Sequence, residues 1–278
     1  MDIGALIRSM SPSATYKAIS SGSNQVYRLL EETGVSTVIK VYSSPARERR
    51  ERHALEALAG TAGVPALLDR GIVDGVAWIR MTDGGTWNLA TLPSNPDIVA
   101  RAGRVLREVH DSGAKISNIG DAIGENNISS HYTSTVERLE RFRRRLRIDA
   151  ALLEAALNYG PPHGSPSKVS HARPTPDKFL VNEAGKVTLV DWEWATLAPP
   201  EWDLSLAFWQ LEQRLGSSGA EAFTQGYGVT VPAARLRPWI AYHAVMMLLD
   251  AAENRGGGLR DLAPLSQSLA MAVGYEPR

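Results

Sequence analysis

The sequence predicts an α+β protein: a small N-terminal antiparallel sheet with one helix, then a larger, mainly helical region that carries a short hairpin. Three observations predict it. Up to about residue 82, β-branched and alternating segments are separated by glycine-bearing turns. One charged stretch after Pro45 changes to helical period. Beyond the glycine pair of "TDGGTW", apolar residues recur at helical spacing over most of the remaining chain.

The first 42 residues read as a β-meander. "YKAIS" runs into "SGSN", "QVYRLL" follows, "EETG" turns the chain, and "VSTVIKVY" alternates. In "ARERRERHALEALAG", Ala54, Leu55 and Leu58 form an apolar stripe beside a charged face, with Gly60 as a stop. Strands return in "GVPALLDRGIV" and "VAWIRM", joined through a turn at Asp74 and Gly75. Helical periods follow near 97–111, 132–158, 202–214 and 235–254, interrupted by a hairpin of Phe179 to Val181, a turn at Gly185 and "KVTLV".

Composition narrows the function classes. With 278 residues, 44% hydrophobic and 22% charged, the chain can bury a substantial core. Lys+Arg and Asp+Glu are 30 each, so whole-chain charge points to neither nucleic acid nor an anionic membrane as partner. The absence of cysteine excludes disulfides and thiolate chemistry. "MDIGALIRSM" is too short and polar for a secretory apolar region, and "WIAYHAVMMLL" falls short of the ~20 residues a spanning helix needs. The expected location is cytoplasmic.

Several motifs then occur in order: "SSGSNQVYRL"; Lys40 at the end of "TVIK", with Glu51 in the next helix and Glu48 as a competing partner; "WIRMTDGG"; "SHARPTPDKFLV"; "LVDWEWA"; and "PPEWDLSLA". From Tyr16 to about Ala207 this series resembles the aminoglycoside phosphotransferase and choline kinase family. The resemblance implies a two-lobed protein-kinase-like fold, with a nucleotide-binding lobe at 1–82 and a helical lobe at 83–278 whose catalytic-loop region spans 170–195. It also implies roles. Gly22, Ser23 and Asn24 take the place of the loop over the nucleotide phosphates, where a glycine lets backbone N–H groups approach. Lys40 and Glu51 match the pair that holds the α and β phosphates. Backbone near Met81, Thr82 and Asp83 would meet the adenine. His171 starts the catalytic loop, Asp191 matches the metal-binding aspartate, Asp203 matches a structural partner of that loop, and His110 ends a core helix.

Two positions depart from the pattern while its spacing stays intact. Arg173 stands for the catalytic aspartate, Lys178 for the asparagine five residues on, and Asp191 follows thirteen residues later. A guanidinium with a pKa above ~12 cannot accept the acceptor's proton. An ammonium offers donors only, where Mg²⁺ needs a neutral oxygen. At about 4 Å and an effective dielectric near 20, like unit charges cost about 4 kcal/mol, and a dication doubles that.

The leading expectation is a pseudokinase-like regulator or recognition partner that binds ATP, another nucleotide or an anionic small ligand, with Mg weakened or absent. One alternative is an active phosphotransferase on a small-molecule or peptide hydroxyl, with Asp177 as a rescuing carboxylate, although adjacent side chains point differently. A second is an interaction protein with an empty cleft. The helix "VERLERFRRRLRID" sets six arginines against Glu137, Glu140 and Asp149. It reads as a solvated face or as a dock at 137–149 for an acidic partner. His131, His163 and His243 are too far apart in sequence to suggest zinc. Trp192 and Trp194, which flank Glu193, read as core.

Overall fold

Alternation between residues 15 and 82 produces a five-stranded antiparallel sheet in the computed structural model, which describes residues 3–21, 24–116, 125–228, 233–253 and 262–276. Its strands are β1 (Thr15–Ser21), β2 (Gln25–Leu30), β3 (Ser36–Val41), β4 (Leu67–Val73) and β5 (Val76–Thr82), in the order β1-β2-β3-β5-β4. Successive side chains of a strand face opposite sides, and each side has its own cover. Helix α1 (Ile3–Met10) places Leu6 and Ile7 against Leu29, Ile39, Val41 and Trp78. Helix α2 (Pro45–Ala57) lays Ala54 and Leu55, continued by Leu58, over Val38, Ile79 and Met81. Lys40 shares the face of Val38, so the same alternation sends its side chain beneath α2.

The chain leaves the sheet through Gly84 and Gly85. Gly85 has φ 130°, and a Cβ there would sit 2.4 Å from the carbonyl carbon of Val181, so the close crossing requires glycine. Strand β6 (Trp87–Asn88) follows and pairs with β8 (Phe179–Val181), which pairs with β9 (Val187–Leu189). Strands β7 (Lys168–Ser170) and β10 (Thr196–Ala198) form a separate ribbon that brackets the segment between them.

The helical region contains α3 (Pro96–Asp111), α4 (Glu125–Leu146), α5 (Ala150–Tyr159), α6 (Pro200–Leu215), α7 (Ser217–Tyr227), α8 (Ala233–Glu253) and α9 (Ala263–Val273). The Asn95 side chain caps α3 by accepting from the amides of Asp97 and Ile98 at 3.1 and 3.3 Å. The helical period near 132–158 is not one helix. It breaks at Arg147, with φ 54°, and restarts where Asp149 accepts from the Ala151 amide at 3.0 Å. An aspartate that can satisfy an orphan amide competes with helix continuation. Helices α1, α7 and α9 and strands β6, β7 and β10 are additions to the expected elements.

One apolar core runs from Val38 and Met81 of the sheet through Leu106 and Phe179 to Leu236, and a second joins α4, α5, α6, α8 and α9 around Tyr132, Trp209 and Trp239. Among the described residues, no helix is long and apolar enough to cross a membrane. On α4, Arg138 pairs with Glu253 and Arg143 with Glu140, while Arg141, Arg144 and Arg145 stand exposed.

Candidate functional site

Helical spacing puts Glu51 on the same face as Ala54 and Leu55, and it is completely buried there. A buried carboxylate needs a cation, and Lys40 supplies one: its Nζ lies 2.6 Å from Glu51 Oε2, and Tyr42 donates to the same oxygen at 2.7 Å. The other Glu51 oxygen accepts from the Trp192 amide at 3.1 Å, so the helix is tied to the segment after β9. Glu48, the competing candidate, instead binds Arg52 at 3.0 Å. Lys40 also pairs with Asp191 and lies 3.2 Å from Glu193 Oε2. Burial opposes its charge, but the carboxylates of Glu51, Asp191 and Glu193 outweigh burial and raise its pKa.

Asp191 adopts a left-handed backbone, φ 74°, directly after β9, a conformation few side chains tolerate. The turn aims its carboxylate at two ammonium groups. One oxygen meets Lys40, and the other lies 2.7 Å from Lys178 Nζ. Burial would raise this carboxyl, but Lys40 and Lys178 hold it well below the usual carboxylate range. Lys178 ends a short helical turn, Pro176–Lys178, and also reaches Asp177 at 3.1 Å. Asp177 accepts from Thr175 Oγ1 at 2.6 Å and is exposed.

The loop between β7 and that turn hangs on Asp203 of α6. Its two oxygens accept the amides of His171, at 2.6 Å, and of Ala172, at 2.8 Å, and His110 Nε2 lies 3.3 Å away. His171 donates from Nε2 to the Val190 carbonyl at 2.8 Å, and its Nδ1 accepts the Arg173 amide at 3.3 Å. Burial lowers its pKa, so the ring is neutral near pH 7 and acts as a brace. Ala172, at φ 68°, presents Arg173 outward, where its guanidinium lies over the Trp194 indole, 5.3 Å from the centroid.

The remaining expected residues fall around this centre. Asn24 is buried; its amide donates to Glu193, and its carbonyl accepts the Ser43 amide at 3.2 Å. Gly22 and Ser23 lie outside the described residues. The Thr82 amide is already used by Ala66 O at 3.0 Å, and Met81 is buried in the core. The Asp83 carboxylate holds Arg28 at 2.5 Å and Ser36 at 2.6 Å. Trp192 is core, but Trp194 is not. It is half-buried, with Arg47 and Arg50 of α2 over its ring at 5.1 and 5.8 Å in addition to Arg173. Sequence reasoning also missed Tyr42 and Glu193 as members of the charge cluster. The only available signal was their place two residues after Lys40 and Asp191.

Glu51, Asp191 and Glu193 bring carboxylate oxygens within 4.8 Å of one another, a spacing that could hold a metal ion. The residues present do not fit one. Lys40 already lies at hydrogen-bond distance from all three carboxylates, and Lys178 covers the second oxygen of Asp191. Ammonium groups neutralise these carboxylates instead.

A family described as the phosphotransferase enzyme family matches residues 15–239. No curated protein matches the sequence. Among solved structures, aminoglycoside phosphotransferase APH(4)-Ia is similar at 14% identity, covering 98% of this chain and 97% of that one with a TM-score of 0.74. Spectinomycin phosphotransferase APH(9)-Ia, solved with ADP and spectinomycin, is 15% identical over 97% and 95% of the two chains, with a TM-score of 0.67. A choline/ethanolamine kinase family protein from Mesorhizobium loti is 18% identical over 94% and 91%, with a TM-score of 0.64. These likenesses establish a kinase-like fold, and the extent of the family match shows that the chain belongs to the phosphotransferase enzyme family.

Proposed function

We propose that the protein is a pseudokinase-like member of its family. Residues 1–82 and 83–278 act as two lobes around a cleft that binds ATP or a related nucleotide without a divalent metal and does not transfer phosphate at an ordinary rate. The observation that carries this reading is the 2.7 Å contact between Lys178 Nζ and Asp191. An ammonium group stands where the family pattern places a neutral metal ligand, and it neutralises the carboxylate that would receive the metal. Lys40 and Lys178 are then the cations that meet phosphate oxygens. The guanidinium of Arg173 offers donors only and cannot take a proton from an acceptor hydroxyl. Asp177, exposed and engaged by Thr175 and Lys178, is a weak substitute.

Melting temperatures with ATP, ATP plus Mg²⁺, and neither test the proposal. At a hundredfold excess over Kd, ATP stabilises by about 2.7 kcal/mol, a rise of roughly 5 °C for a chain of this size. Mg²⁺ should add nothing to the wild type but should add to Lys178→Asn. Metal-dependent phosphorylation of an acceptor, lost in Asp177→Ala, would replace the proposal with the active-enzyme reading. No shift under any condition would leave an interaction protein.

A further inference from the structure

Glu193 is a buried carboxylate whose two oxygens keep different company. Oε2 accepts from the side-chain amide of Asn24, the residue before β2, and lies 3.2 Å from Lys40 Nζ. Oε1 lies 3.4 Å from Arg47 Nη1 on the more open side, where the Arg47 side chain is 30% exposed against 6% for Lys40. The main chain around Glu193 is tied down: the Trp192 amide donates to Glu51 at 3.1 Å, and the Glu193 carbonyl accepts from Arg50 at 3.2 Å. Asn24 is held too, because its own side-chain carbonyl accepts the Ser43 amide at 3.2 Å. The part that can turn is the Glu193 side chain, with Asn24 and Lys40 on one side of its carboxylate and Arg47 on the other.

Lys40 does not depend on this carboxylate, since it keeps Glu51 at 2.6 Å and Asp191 as well. An ammonium and an amide donor that meet at one point make a position for a single anionic oxygen. Lys40 is a phosphate-binding cation under the proposed function, and Glu193 Oε2 stands at that position. We infer that Glu193 is an internal competitor of the nucleotide: its carboxylate holds the place between Asn24 and Lys40, and a phosphate oxygen enters there as the carboxylate turns to Arg47. Resting on the nucleotide reading, this adds to it a built-in limit on affinity. Two anionic oxygens at contact distance repel strongly in a partly dehydrated site. Apparent affinity is therefore reduced by the fraction of molecules in which Glu193 has turned away. Arg47 raises that fraction, because it stabilises only the turned carboxylate.

Calorimetric titration of the full chain with ATP, without divalent metal, tests the inference. Glu193→Gln keeps the size of the side chain and removes its charge. It should bind ATP about tenfold more tightly than the wild type, the gain that follows when about one molecule in ten has the carboxylate turned away. Arg47→Gln removes the receiving partner and should weaken ATP roughly threefold or more, a comparison that stands even if Glu193→Gln does not fold. In the double variant the Arg47 effect should shrink to less than about twofold, because no carboxylate remains to be received. ATP that binds Glu193→Gln no more tightly than the wild type overturns the inference and leaves the nucleotide reading standing. An Arg47 effect of equal size in both backgrounds also overturns it, since Arg47 would then touch the nucleotide itself. ATP that binds Glu193→Gln alone is the strongest form of the expected result, and ATP that binds neither protein removes the nucleotide reading and the inference together.

Discussion

Asp203 and Asp191 are both buried or nearly so, both face the loop that starts at His171, and they are satisfied by opposite means. Asp203 is fully buried and spends its oxygens on two backbone amides and a histidine. Asp191 keeps a quarter of its side chain exposed and spends its oxygens on two ammonium groups. Main-chain donors cannot leave, so Asp203 holds a loop shape. Ammonium groups on lysine stems can turn toward an incoming anion, so Asp191 holds charge in reserve. The first aspartate belongs to the fold; under the proposed function, the second belongs to the ligand.

The sharpest way to break this contrast is Asp203→Ala. It orphans one buried and one half-buried amide at about 1–3 kcal/mol each and should lower the melting temperature by on the order of 10 °C. A fall of only a degree or two would mean that the loop is held elsewhere. Acid should act on the same side of the comparison. His243, packed against the Asp203 helix and donating to Trp202 O at 3.0 Å, is pushed down to about 4 by burial. The unfolded chain therefore takes up a proton near pH 6.5 that the folded chain refuses until about pH 4. Stability should fall by roughly 3 kcal/mol across that window and level off below it. Denaturant midpoints of His243→Gln should lose this acid limb; an unchanged limb would assign it to other groups.

Asp191→Asn should cost the fold less, about 1.5–3 kcal/mol for the charged contacts it removes, and should leave ATP affinity equal or higher, because two ammonium groups are released toward phosphate. A tenfold loss of affinity, read by thermal shift or calorimetry, would make Asp191 a metal ligand after all. The smallest effect expected is alkaline. Burial lowers the Lys178 pKa, but Asp191 and Asp177 outweigh burial and raise it. The stability it contributes is fully present below the unfolded value near 10.4 and is lost as pH rises through the folded one. Lys178→Met should flatten that alkaline decline by no more than about 1 kcal/mol. A decline as steep as in the wild type would remove Lys178 from the account.

Much of this frame was legible in the chain because its signals are local. Alternation marks β2, β3 and β5, and helical period marks α2, α3 and α6. The spacing of His171, Arg173, Lys178 and Asp191 follows from loop and hairpin lengths alone. The break between α4 and α5 was not legible, because a single capping aspartate interrupts an otherwise continuous apolar stripe. Helix α1 was passed over because its reason to form is the outer face of the sheet, which exists only once the sheet has folded. Trp194 was misread because an indole beside an apolar strand carries no sign of whether carbon or guanidinium will cover it.

The order of charged residues along the chain settled which side chains the loop carries: an arginine at 173 and a lysine at 178. It could not settle what the replacing cations touch. Lys40 and Asp191 are separated by 151 residues, and Arg47 and Glu193 by 146. Coulomb energy depends on distance and local dielectric rather than on sequence separation. Once folding brings α2, the β9 turn and the loop from His171 to Lys178 together, Lys178 is spent on Asp191 and Arg173 is left facing outward on Trp194.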